Sequence, residues 1–222
     1  MSISSRLNQL KTELPEQVRL VAVSKFHEAT VIREAYDAGQ RLFGESRVQE
    51  LLPKYEQLPQ DIEWHFIGHL QLNKVKQIAP FIDTVQSVDS VKLLEELNRQ
   101  AGKFNRKIKV LLQVHIAREE HKFGFSFDEM ADLLPSGIQE QLTHVTITGL
   151  MGMATFTDDK EQIREEFASL SAFFSKVKKQ YFAGNTHFNE LSMGMSDDYP
   201  IAIEEGSTMI RVGTKIFGPR NY

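Results

Sequence analysis

Apolar residues recur along this chain in two alternating rhythms. Short runs with apolar residues on both faces of an extended segment, as in strands buried on both sides, fall near residues 18–25, 41–45, 63–68, 84–88, 107–116, 145–153, 188–193 and 208–213. Between them apolar residues return every three to four positions, the spacing of one helix face. These segments lie near 30–38, 47–57, 72–79, 90–103, 127–134, 159–180 and 198–205, with a further helix at about 2–13. Gly39, Gly102 and Gly206 stand where helices should end, and Asp158 and Ser196 where two should begin. Strands alternating with helical crossovers predict an α/β fold, either an open doubly wound sheet or a closed barrel. No GxGxxG turn follows the first strand, as a dinucleotide-binding sheet would need. A count of eight strands favours a single (β/α)8 TIM barrel, one domain over residues 1–222.

In such a barrel the carboxyl ends of the strands build the active site, and phosphate often binds after strands 7 and 8. The first strand, VRLVAVSKFH at 18–27, puts Val21, Val23 and Lys25 on one face and Leu20, Ala22 and Ser24 on the other. Lys25 then either marks the strand's exit into solvent or stands in the barrel mouth. Strand 7 ends in LSMGMSDD (191–198), where Ser192 offers a hydroxyl and Gly194 a backbone without a Cβ. Strand 8, MIRVGTKIFG (209–218), ends in Gly213 and Thr214. Together these groups suit a phosphate dianion. Asp197 and Asp198 would repel one, so they are assigned to the first turn of a helix capped by Ser196, where the macrodipole favours carboxylates. Met209, Arg211 and Gly213 alternate onto the inner face. A buried guanidinium needs acceptors, supplied by a core salt bridge or by a ligand. A lysine, an arginine and a phosphate cradle in one mouth suggest a phosphorylated aldehyde held as an imine. Pyridoxal phosphate fits those points, and a sugar phosphate on a class I aldolase would use the same lysine and cradle.

Composition narrows the field. With 222 residues, 41% of them hydrophobic, the chain can bury one large core. It has no apolar run near the ~20 residues needed to span a membrane, and its start, MSISSRLNQLKTEL, is polar and helical. A soluble, unexported, cytoplasmic protein is expected. There is no cysteine, which removes disulfides, thiolate zinc sites and cysteine nucleophiles. The formal net charge is −4 with both signs interleaved, which argues against nucleic acid as a partner. No HExxH, GxSxG or P-loop occurs, and the two histidines of HFIGH (65–69) are separated by a turn at Gly68, so no metal is expected.

The segments VAVSK (21–25), FGE (43–45), WHFIGHLQLNK (64–74), GLM (149–151), LSMGMSDD (191–198) and STMIRVGTKIFGPRNY (207–222) resemble the YggS/PROSC family of pyridoxal phosphate homeostasis proteins. The resemblance implies an alanine-racemase-like barrel with pyridoxal 5'-phosphate as cofactor. It matches Lys25 to the family's Schiff-base lysine, Ser192, Gly213 and Thr214 to its phosphate-binding positions, and Arg211 to the arginine facing the pyridine nitrogen. Ser46, His65 and Met193 are counted with them as cofactor-binding residues. Two positions depart from the family's usual pattern: Ser46 in FGES, where asparagine is frequent, and His115, again where asparagine is frequent. Alanine racemases add a second domain carrying another acid–base group, whereas this sequence stops at Tyr222. An arginine at the pyridine nitrogen also weakens the ring as an electron sink. The expected function is therefore a monomeric carrier or buffer of pyridoxal phosphate, with little or no catalysis, that supplies apo-enzymes. The alternative is an amino-acid racemase or other small pyridoxal phosphate enzyme using His115 or His69 as second base.

Overall fold

Eight parallel strands close into a barrel in the order of the chain in a computed structural model, which describes residues 1–119 and 123–219. The strands are β1 (Arg19–Val23), β2 (Leu42–Glu45), β3 (Glu63–Phe66), β4 (Thr84–Val88), β5 (Ile108–Gln113), β6 (Val145–Met151), β7 (Glu190–Ser192) and β8 (Met209–Val212). Helix α1 (Ile3–Glu13) precedes β1 and is capped by the Ser2 hydroxyl. Helices α2 (Ala29–Asp37), α3 (Val48–Gln57), α4 (Leu72–Ile78) and α5 (Val91–Lys103) follow β1 to β4 in turn. After β5 come α6 (Phe127–Leu133) and α7 (Ile138–Gln141), and α8 (Lys160–Tyr181), α9 (Tyr199–Glu204) and α10 (Thr214–Phe217) follow the last three strands. The expected (β/α)8 barrel is present. None of the helices among the described residues is long and apolar enough to cross a membrane.

The differences from the sequence expectation have local causes. Strands end earlier than their apolar runs: β1 leaves the ladder at Val23 and β5 at Gln113, because the chain splays into loops at the barrel mouth. Gly102 does not end α5, which runs on to Lys103; the chain reverses at Asn105, with φ 50. A Cβ on Gly102 would come 3.0 Å from the His144 ring, so the residue is small for packing. Asp159, not Asp158, caps α8, accepting from the N–H groups of Glu161 and Gln162. Helix α9 starts at Tyr199, with Pro200 in its first turn and Asp198 at the N-cap position, so Ser196 lies ahead of it and caps nothing there. Gly39 and Gly206 do follow α2 and α9, at φ 87 and 93. The short helices α7 and α10 carry too few turns for a periodic signal. Arg220, Asn221 and Tyr222, the end of the quoted segment STMIRVGTKIFGPRNY, lie outside the described residues.

Strand alternation sorts the side chains into two environments. Leu20, Ala22, Phe43, Trp64, Phe66, Ile210 and Val212 face the helices in the main core, while Val21, Leu42 and Met209 pack inside the barrel. The rest of the interior is notably polar. At its amino-terminal end Arg19 bridges Glu63 (2.8 Å) and Glu190 (2.6 Å), and the Thr148 hydroxyl donates to Glu190 (2.7 Å). Glu63, His65 and Asp83 bring ligand-type atoms within 4.8 Å of one another, but Arg19 and Lys109 already pair with the carboxylates. β6 and β7 approach tightly, with Gly149 opposite Glu190. A Cβ on Gly149 would lie 1.7 Å from the Glu190 carbonyl oxygen, a backbone atom that cannot step aside. Gly149→Ala is therefore expected to cost about 3 kcal/mol or more, read as a fall in the urea unfolding midpoint.

Candidate functional site

A cavity of about 610 Å³ occupies the carboxyl ends of the strands, and Lys25, Ser46, Arg211, Gly213 and Thr214 all line it. Lys25 arrives there because it continues the inner face set by Val21 and Val23 past the end of β1. Arg211 arrives from β8, which pairs with β1 so that Val21 stands opposite Arg211. Gly213 follows two residues on, beside Val23, where an added Cβ would meet the Val23 carbonyl oxygen at 3.0 Å. Ser196 also lines the cavity, and its hydroxyl accepts the Gly213 N–H at 3.4 Å. Asp198, though at the cavity wall, turns a carboxylate oxygen back to the Met195 N–H (2.5 Å).

Arg211 is 4% exposed and forms the cavity floor. Its Nη1 donates to the Ser192 hydroxyl (2.6 Å) and its Nη2 to the Gly152 carbonyl (2.9 Å). Burial pulls its pKa down to about 10, with Asp198 opposing, so it stays charged at neutral pH. Below it the bonding continues: the Ser192 hydroxyl donates to Gln86 Oε1 (2.7 Å), and Gln86 Nε2 donates to His65 Nδ1 (2.7 Å). The His65 proton therefore sits on Nε2, which is 3.7 Å from Asp83 Oδ2 and makes no hydrogen bond.

Three expected site residues are placed elsewhere. Ser192 and His65 are fully buried beneath Arg211, in the barrel interior rather than on the cavity wall. Met193 follows the alternation of β7 to the opposite side and packs with Leu191 in the helix-facing core. Gly194 is a glycine for another reason than ligand approach: at φ 94 its Cβ would meet Ala202 of α9 at 2.6 Å. Neither candidate second base lines the cavity. His69 bonds Asp89 (2.9 Å) and stacks on Phe123, with centroids 4.1 Å apart, while His115 Nε2 lies 2.9 Å from the Glu119 carbonyl. Sequence reasoning missed Gln86, whose signal is a polar residue in the middle of the buried strand TVQSV. It also missed Ser196 as a cavity residue, having given it a capping role. Glu45, outside the cavity, is paired with Lys54 at 2.7 Å.

A lysine just past the end of β1 and an arginine on β8, both at the mouth of a closed (β/α)8 barrel, define the class of the alanine racemase N-terminal domain, whose family model matches residues 1–221. The chain is 37% identical over 235 aligned residues to the pyridoxal phosphate homeostasis protein of Pasteurella multocida, covering 100% of this chain and 99% of that one. It is 40% identical over 215 residues to the protein of the same name in Synechocystis, covering 96% of each. Among solved structures, PipY of Synechococcus elongatus with pyridoxal phosphate bound superposes with a TM-score of 0.88 at 41% identity, over 98% of this chain and 100% of that one. An alanine racemase of Clostridium difficile shares the fold alone, at 16% identity and a TM-score of 0.74, over 100% of this chain and 56% of that one. The chain belongs to the family of pyridoxal phosphate homeostasis proteins.

Burial holds the His65 imidazole below the ordinary histidine pKa, with Asp83 opposing. The unfolded chain gains a proton near pH 6.5 that the folded chain refuses, so this contribution to stability is intact above that pH and declines as pH falls below it. His65→Asn, which keeps an acceptor for Gln86, is expected to flatten the decline. Urea unfolding between pH 6 and pH 5 should show the unsubstituted protein losing up to about 1.4 kcal/mol per pH unit more than the variant.

Proposed function

We propose that this protein binds pyridoxal 5'-phosphate covalently and reversibly, as a Schiff base on Lys25, and serves as a cytoplasmic carrier and buffer with little or no catalysis of its own. The observation that carries this reading is the meeting of β1 with β8, which brings Lys25, Arg211, Gly213 and Thr214 to one 610 Å³ cavity. The residues fit the cofactor. Arg211 makes two hydrogen bonds to protein among the described residues, against five N–H donors, which leaves donors for a ligand atom at the cavity floor. Thr214 and Ser196, beside Gly213, offer hydroxyls to an anion at the neighbouring wall. PipY, at 41% identity, has pyridoxal phosphate in its structure.

When bound, pyridoxal phosphate supplies an aldehyde carbon and, in its enzymes, an electron sink. The residues of this chain favour holding it over using it. Arg211 can donate a hydrogen bond but never accept one, so a ring nitrogen facing it stays unprotonated and the sink is weak. A racemase needs a second acid–base group across the site from the lysine. His69 and His115, the candidates for that part, point their ring nitrogens at Asp89 and the Glu119 carbonyl instead. Apo-enzymes that use the cofactor are the proposed recipients, and a monomer is the proposed state.

Purified protein mixed with pyridoxal phosphate is expected to develop a visible absorbance band, and borohydride should fix the label on Lys25 in a peptide map. Lys25→Ala should show neither. Label scattered over surface lysines would remove the reading, and exchange of the alanine Cα proton in D2O would favour the racemase.

A further inference from the structure

Strand β1 ends at Val23, and the last sheet bond on this side is from the Ser24 N–H to the Gly44 carbonyl (3.0 Å), so Lys25 itself lies beyond the ladder. We propose that Glu50 and Lys54 of α3, together with Glu45 of β2, are positioning residues that clamp the backbone on both sides of Lys25. The inference rests on the reading of Lys25 as the cofactor's anchor. On the amino side Ser24 is fully buried, its carbonyl accepts from Lys54 Nζ (3.0 Å), and its hydroxyl donates to Glu45 Oε1 (2.6 Å). Lys54 closes the triangle by pairing with Glu45 at 2.7 Å. On the carboxyl side the Phe26 backbone N–H donates to Glu50 Oε2 (2.9 Å). Arg47 bonds the other Glu50 oxygen (3.4 Å) and lies 5.0 Å above the Phe26 ring. Glu50 and Lys54 are one turn apart on α3 and 3.8 Å from each other, so a single helix face grips both flanks.

Two features mark this as a device for placement. Phe26 has φ 69, in the left-handed region that a bulky residue enters only where its surroundings enforce it. The turn is closed by the His27 N–H donating to the Ser24 carbonyl (3.1 Å), which leaves Lys25 between two anchored neighbours. Second, Glu45 and Lys54 form a buried ion pair, with side chains 0% and 8% exposed, and buried pairs of this kind in general contribute little net stability against their desolvation. Amine attack on an aldehyde forms a C=N bond and expels water, and its rate depends on holding the nitrogen in line with the carbon.

The test uses Glu50→Ala, which removes the acceptor for Phe26 from a partly exposed helix face, Glu50→Gln, which restores an acceptor, and Lys54→Met as the harsher cut. Two ligands are compared: pyridoxal 5'-phosphate, and pyridoxine 5'-phosphate, which fills the same cavity with an alcohol in place of the aldehyde. Glu50→Ala is expected to slow the appearance of the visible band and weaken aldehyde binding about tenfold, with affinity for the alcohol unchanged and Glu50→Gln close to the unsubstituted protein. Equal weakening of both ligands would show general loosening and overturn the inference, as would no effect in either Glu50→Ala or Lys54→Met. Should Lys54→Met fail to fold, Glu50→Ala decides alone. An unsubstituted protein that yields no reducible label on Lys25 overturns the anchor reading itself, and the clamp with it.

Discussion

Closure of the barrel between its first and last strands is the constraint on which the site depends. Residues on β1 and β8 are almost the whole chain apart, yet pairing sets Val21 opposite Arg211 and Ala22 opposite Val212. A shift of one residue would turn Arg211 out among the helices and bring Ile210 or Val212 inside. It would also break the contacts that Arg211 makes with Ser192 on β7 and with the Gly152 carbonyl after β6. Register is thus held from both sides, by apolar residues that must face the helices and by a cation that must find its acceptors within.

The interior of this barrel differs from a simple stack of branched aliphatic layers. Val21, Leu42 and Met209 supply an apolar patch, but salt bridges lie at the amino-terminal end and a buried polar chain runs beneath the cavity. Such a core is stable only when its donors and acceptors are matched. Here the matching is nearly complete: His65 Nε2, Glu45 Oε2, Trp64 Nε1 and Gln139 Oε1 are the buried side-chain atoms without a partner among the described residues. Two of these four belong to ionisable groups beside the site, where polarity serves placement and charge more than it serves folding.

Much of this was legible from sequence, and the misses share a cause. The double-faced apolar runs gave the strand count, and alternation alone put Lys25, Arg211 and Gly213 on the inner face. The same alternation forbids Ser192 and Met193 from facing one cavity together, and adjacent residues of β7 indeed take opposite sides. Depth along the barrel axis was the illegible coordinate. Whether an inward residue reaches the cavity or lies a layer below depends on strand stagger, which no local pattern encodes; so His65 and Ser192 sank beneath the floor while Ser196 rose to the wall. Gly102 and Gly194 show the other blind spot, since a glycine demanded by a neighbouring side chain reads like one demanded by a turn.

The polar chain under the cavity has a direction. A guanidinium can only give hydrogen bonds, so Ser192 must receive from above and give below, Gln86 must do the same through its two ends, and His65 must accept on Nδ1. The inability of one residue to accept therefore dictates the tautomer of another three links away. Substitution within this set is subject to a parity rule: a replacement that only accepts, such as glutamate for Gln86, reverses the one bond beneath it and draws the imidazole proton to Nδ1. Four positions on β3, β4, β7 and β8 are thus tied by one donor–acceptor order, so that the polarity of each bond is set by the link above it.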